Sequence, residues 1–248
     1  MTKLILHILA VALFTFNSCS PEEAPAPQNA TSSDETLSDE GVSPFTGTLR
    51  YLALGDSYTI GESVDVNERW PFQLADTLSA RLDSVTFAEP DLIATTGWTT
   101  FELDSAMDLK NIDTARYDLV SLLIGVNNQY RGLPVEEYAP EYRELLERAI
   151  NIAGNPDHVF VVSIPDYGFT PFGANNQEEI SSELFYFNDT CRAITEEMGI
   201  AHYNITPISQ QWPQMQDWVA PDGLHPSGAQ YTAWVQHFAD SVAMQLGY

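Results

Sequence analysis

The chain has 248 residues, 44% of them hydrophobic and 11% aromatic, which is the composition of a globular protein with one sizeable core and excludes disorder over its whole length. Against 35 acidic residues stand only 10 basic ones, for a formal net charge of −25. Nucleic acid and anionic lipid surfaces repel such a chain, so neither is expected as a partner through surface charge.

Residues 1–18 read as an export leader. Lys3 supplies a positive start, and Leu4 to Phe16 form an apolar run of signal-sequence length, shorter than the roughly 20 residues a membrane span needs. Cys19 follows Asn17 and Ser18, where a bacterial lipoprotein signal places the cysteine that is acylated, although Phe16 and Asn17 depart from that signal's usual leucine and small residue. Lipidation at Cys19 is therefore expected, with the chain anchored to a bacterial membrane and facing periplasm or exterior; plain secretion is the alternative. Cys191 is the other cysteine, so a lipidated or removed Cys19 leaves no intramolecular disulfide. It falls in a helical pattern and reads as a small buried residue.

Residues 19–46 carry Pro21, Pro25, Pro27 and Pro44 with acidic residues and no basic one. Such a stretch buries too little apolar surface to offset the entropy of ordering it, and it reads as a disordered tether or an unstructured tail. Beyond it, residues 47–248 form one expected domain. Apolar runs at Leu49–Leu54, Ser84–Phe87, Leu119–Ile124, His158–Ile164 and, more weakly, Ile200–Tyr203 alternate with helical patterns, the signature of an α/β domain with a parallel sheet. Tyr138, Tyr142, Leu145, Leu146, Ala149, Ile150 and Ala153 recur at helical spacing, as do Tyr231, Trp234, Val235, Phe238, Val242 and Leu246, so two helices each present one buried face.

Sites in open parallel sheets form where the strands' carboxyl ends meet their loops. Ser57 lies in such a loop, Gly55-Asp56-Ser57, behind a glycine that permits a tight turn. An exposed hydroxyl among backbone N–H groups suits a nucleophile for acyl transfer, yet Gly-Asp-Ser is also ordinary turn and helix-cap chemistry. His225 adds weight, because Asp222 precedes it by three residues in a Gly- and Pro-containing loop, where one short segment can supply a base and its orienting carboxylate. His158, His202 and His237 have no such company and read as structural or surface residues, and no metal-ligand spacing links them. An α/β-hydrolase nucleophile would need G-x-S-x-G. The nearest segment, Gly61-Glu62-Ser63-Val64-Asp65, lacks the second glycine.

Taken together, Gly55-Asp56-Ser57, Gly97, Gly125-Val126-Asn127 and Asp222-Gly223-Leu224-His225-Pro226 resemble the four signature blocks of the SGNH (GDSL) hydrolase family, in the family's order. The resemblance runs from about Leu49 to the C-terminus, which makes residues 47–248 the expected catalytic domain. It implies a flavodoxin-like three-layer α/β/α sandwich and a serine hydrolase of carboxylic esters that works through an acyl-enzyme without metal or organic cofactor. Ser57 would be its nucleophile, His225 its base and Asp222 the orienting acid. The Ser57 and Gly97 N–H groups and the Asn127 amide would hold the oxyanion.

Trp70-Pro71 resembles the bacterial lysophospholipase and thioesterase-like branch, so a lysophospholipase or short-to-medium acyl esterase is expected. A carbohydrate O-acetylesterase is the alternative, and a noncatalytic surface binding lipoprotein a further one. Thr95 and Asn128 stand where the family usually has Asn and Asp, which alters the loops around the acyl pocket. Trp98, Asn128, Tyr130 and Tyr167 are candidate substrate-binding residues, and Phe169 shares their loop. Each could equally pack its loop onto the domain, and Asp56 and Asn128 also read as hydrogen-bonding struts.

Overall fold

The computed structural model describes residues 45–112, 116–212 and 214–248. The leader, Cys19 and the tether before residue 45 lie outside the described residues. Five strands form one parallel sheet: β2 (Tyr51–Gly55), β4 (Asp91–Ala94), β5 (Leu119–Leu123), β6 (Val159–Val162) and β7 (Ala201–Tyr203), in the order β4-β2-β5-β6-β7. Every residue of β2, β5 and β6 is buried, as a parallel sheet covered on both faces requires.

Helices supply the two outer layers. Helices α2 (Trp70–Arg81) and α8 (Gly228–Gln245) pack together, the short α7 (Thr206–Ser209) lies against α8, and the rings of Trp70 and Phe238 both meet Phe160 of β6. Helix α5 (Val135–Ala153) packs against α3 (Thr100–Lys110) and α6 (Gln177–Glu197), with Tyr138 against Phe187. The helical periodicities around Tyr138 and Tyr231 thus mark real buried faces. Cys191 sits inside α6, where burial pushes its thiol up to about 11 and the Sγ–H donates to the Tyr142 hydroxyl at 3.1 Å.

Two sequence expectations need correction. The run Leu49–Leu54 is two strands, because Arg50 leaves the ladder and donates its backbone N–H to Asp118 Oδ2 at 2.7 Å. The first piece, β1 (Gly47–Leu49), pairs with β3 (Val85–Phe87) in a separate two-stranded ribbon. The strand beside β2 is instead β4, whose four residues begin with the exposed Asp91 after Pro90 and carry too little apolar pattern to be read. It is β4, not the run at 84–87, that feeds the Gly97 loop.

In chain order the sheet runs outward from β2 in both directions, so the crevice between the ends of β2 and β5 is the topological switch point, where α/β sheets place their ligands. The loops carrying Ser57 and Asn127 leave from those two strands.

Candidate active site

Ser57 opens the short helix α1 (Ser57–Ile60), and Asp56 caps it by accepting the Tyr58 N–H at 3.0 Å. Its partner oxygen, Oδ2, is buried with no hydrogen-bond partner among the described residues. Burial therefore pushes the Asp56 carboxyl up to about 7, against the pull of its backbone hydrogen bonds. Across the crevice, Gly125 enters α4 (Val126–Tyr130) at φ +126°. A Cβ there would meet the Tyr138 ring at 2.8 Å, so only glycine lets α4 start against α5.

The next residue but one, Asn127, donates its amide to the Trp98 carbonyl at 2.9 Å. A carbonyl can only accept, which fixes the amide's orientation and leaves its second N–H for another acceptor. Gly97 adopts φ +88°, and a Cβ there would meet only the Arg131 guanidinium at an ordinary 3.9 Å, so conformation rather than room selects glycine. Arg131, at the end of α4, donates to the Gly97 carbonyl and pairs with Glu102 of α3 at 3.0 Å. Two hydrogen bonds thus tie the Gly97 loop to the Asn127 helix.

His225 Nδ1 lies 2.7 Å from Asp222 Oδ2. Partial burial works to raise the Asp222 carboxyl, but bonds from Ser63 Oγ (2.7 Å), the His225 ring, Leu224 N–H (2.9 Å) and His225 N–H (3.0 Å) outweigh it and hold the group well below the usual carboxylate range. An ionised carboxylate accepts only, so Nδ1 carries the proton. The Tyr58 ring packs edge-on against the imidazole at 5.7 Å, and the Tyr231 hydroxyl of α8 holds Tyr58 in turn through its carbonyl.

Ser57, Gly97, Asn127 and His225 all line one cavity of about 280 Å³, whose other walls are Tyr58, Thr96, Val126, Tyr130, Tyr167, Phe172 and Leu224. Asp222 stands behind His225, outside the walls. Tyr130, Tyr167 and Phe172 form a three-ring cluster with centroids 6.2 to 6.3 Å apart. Tyr167 is fixed by its hydroxyl bond to Gln129, while Tyr130 and Phe172 are 60% and 51% exposed.

A family profile described as GDSL-like Lipase/Acylhydrolase matches residues 53–233. The chain belongs to that family. The protein is accordingly an SGNH-type ester hydrolase, and its three-layer sandwich recurs in solved structures. A lipolytic G-D-S-L protein from Veillonella parvula aligns over 78% of this chain and 97% of its own, at 15% identity and TM-score 0.61. The acetylxylan esterase Axe2 from Geobacillus stearothermophilus aligns over 82% and 95%, at 17% identity and 0.60. The psychrotrophic esterase EstA from a Pseudoalteromonas species aligns over 80% and 99%, at 18% identity and 0.56. No curated protein matches by sequence.

Two candidate substrate-binding residues of this hydrolase do not reach the cavity. Asn128 is buried, its Oδ1 accepting the Thr100 N–H at 3.1 Å and its amide donating to Thr100 Oγ1 at 2.7 Å, which makes it the strut that joins α4 to α3. Trp98 turns its ring against the core and contributes only its carbonyl, to Asn127. Phe169 is likewise absent from the walls, and Phe172 takes the place expected for it. Phe172 carries no periodic signal, and only the fold brings its loop over α4.

Proposed function

We propose that the protein hydrolyses carboxylic esters of short or medium acyl chains, lysophospholipids among them, with Ser57, His225 and Asp222 as its triad. The observation that carries this reading is that Ser57 and His225 line the same cavity, with Asp222 occupying the Nδ1 side of the imidazole so that its Nε2 side remains for the serine. Ser57 Oγ attacks the ester carbonyl carbon while His225 takes the hydroxyl proton, and Asp222 stabilises the imidazolium. The carbonyl oxygen gains charge between the Ser57 and Gly97 N–H groups and the free N–H of the Asn127 amide. His225 then protonates the leaving alcohol, and a water activated by the same base releases the acid from Ser57.

The aromatic cluster supports an apolar acyl or alcohol part lying against Tyr130, Tyr167 and Phe172. The exposed rings of Tyr130 and Phe172, with the likeness to an acetylxylan esterase, also favour a second reading in which the alcohol is a sugar and the acyl group acetyl. We place the enzyme outside the cytoplasm, held to a membrane by a lipid on Cys19, which the leader and its cysteine support. A fluorophosphonate probe is expected to label Ser57. A series of p-nitrophenyl esters of rising chain length, with acetylated xylan and a lysophospholipid beside it, separates the substrate readings, and failure to turn over every one of these esters would sink the proposal.

A further inference from the structure

Ser63 is a residue that neither the motifs nor the cavity walls single out. Its backbone adopts φ +67°, the left-handed region that glycine occupies freely and a residue with a side chain rarely does. Asn111 is the other non-glycine residue in that region among the described residues, and it ends a helix, where asparagine is common. Ser63 ends no helix. Its conformation instead places Oγ 2.7 Å from Asp222 Oδ2, the same oxygen that accepts the His225 Nδ1–H at 2.7 Å.

The neighbouring residue extends the same turn in the other direction. Glu62 accepts a hydrogen bond from the Thr96 hydroxyl, and Thr96 adjoins Gly97 on the cavity wall. The turn that follows the nucleophile helix therefore touches both the Gly97 loop and the Asp222–His225 loop.

We propose that Ser63 is a positioning residue for ester hydrolysis, acting through Asp222: its hydroxyl donates to Oδ2, fixes the rotation of the carboxylate, and so fixes the imidazole that must face Ser57. The inference rests on the triad reading above. The plainer alternative makes Ser63 a turn residue whose hydroxyl merely finds an acceptor. Glycine would serve that turn better than serine does, and the difference is measurable.

The experiment compares wild type with Ser63→Gly, Ser63→Ala, Asp222→Ala and Ser63→Gly/Asp222→Ala, by steady-state turnover of p-nitrophenyl acetate and by the rate at which a fluorophosphonate labels Ser57. Ser63→Gly is expected to keep or raise the thermal midpoint and leave KM unchanged, yet to lose about tenfold in kcat and in labelling rate, the factor that about 1.4 kcal/mol represents. Ser63→Ala loses the same activity but has a lower thermal midpoint than Ser63→Gly, because alanine keeps the unfavourable φ that glycine relieves. In the Asp222→Ala background Ser63→Gly has no further effect, since the group it acts through is gone. Wild-type kcat and labelling in Ser63→Gly would overturn the role of Ser63 alone, as would a full additional loss in the Asp222→Ala background. Absence of Ser57 labelling in the wild type would overturn the triad reading and this inference together.

Discussion

Asp56 gives the sharpest test of how the fold holds the Ser57 turn. Its carboxyl is buried, accepts one N–H through Oδ1, and leaves Oδ2 unpartnered, so burial lifts it from 3.8 to about 7. In the unfolded chain the group loses its proton near 3.8, whereas the folded protein keeps it until about pH 7. The unfolded state therefore binds fewer protons across that window, and stability falls as pH rises through it, levelling off above about 7. At about 1.4 kcal/mol per pH unit the loss from this one group reaches roughly 3 to 4 kcal/mol between pH 4 and pH 8. Asp56→Asn keeps an acceptor for the Tyr58 N–H and removes the titration. Urea unfolding of both proteins at several pH values between 4 and 8 is expected to show the wild type losing stability relative to the variant as pH rises. The buried amide shifts the variant's absolute stability but not that slope. Two parallel stability profiles would refute the reasoning, because they would mean that the Asp56 carboxylate is as well solvated folded as unfolded.

Two further outcomes follow from the same site, and a third from the leader. Asn127→Ala is expected to lose about 10² to 10³ in kcat with little change in KM, the usual cost of one oxyanion donor, and Asn127→Asp at least as much, since a carboxylate would also confront the Trp98 carbonyl that now accepts from the amide. A kcat within about threefold of wild type in active-site-titrated Asn127→Ala would refute that role. Ser57→Ala and His225→Ala each remove most turnover while leaving the thermal midpoint close to wild type; near-normal turnover by purified His225→Ala would end the triad assignment. Expressed in a bacterium that processes lipoproteins, the full chain is expected to partition into membranes and Cys19→Ala to become soluble or remain unprocessed, whereas a fully soluble wild type whose mature N-terminus lies beyond Cys19 would remove the anchor.

The sequence by itself determined the α/β class, because the strand runs and helical faces that bury a parallel sheet leave an apolar pattern that survives without coordinates. It also determined the motif residues, since Gly55-Asp56-Ser57, Gly125-Val126-Asn127 and Asp222 to His225 are local segments whose spacing is legible on the chain. Only the tertiary structure decided what those residues do to one another. The order β4-β2-β5 brings the Ser57 and Asn127 loops to one crevice, and β4 was illegible because four residues that begin with an exposed aspartate carry almost no periodic signal. Asn128 and Trp98 sit beside cavity residues in sequence, yet they face inward to Thr100 and the core, because neighbours on a helix or loop point in different directions. Phe172 reaches the cavity, and Ser63 reaches Asp222 across 159 residues of chain, through contacts that no local pattern encodes. A hydrogen bond of 2.7 Å depends on where two loops end, and that is fixed by the packing of the whole sheet and its helices.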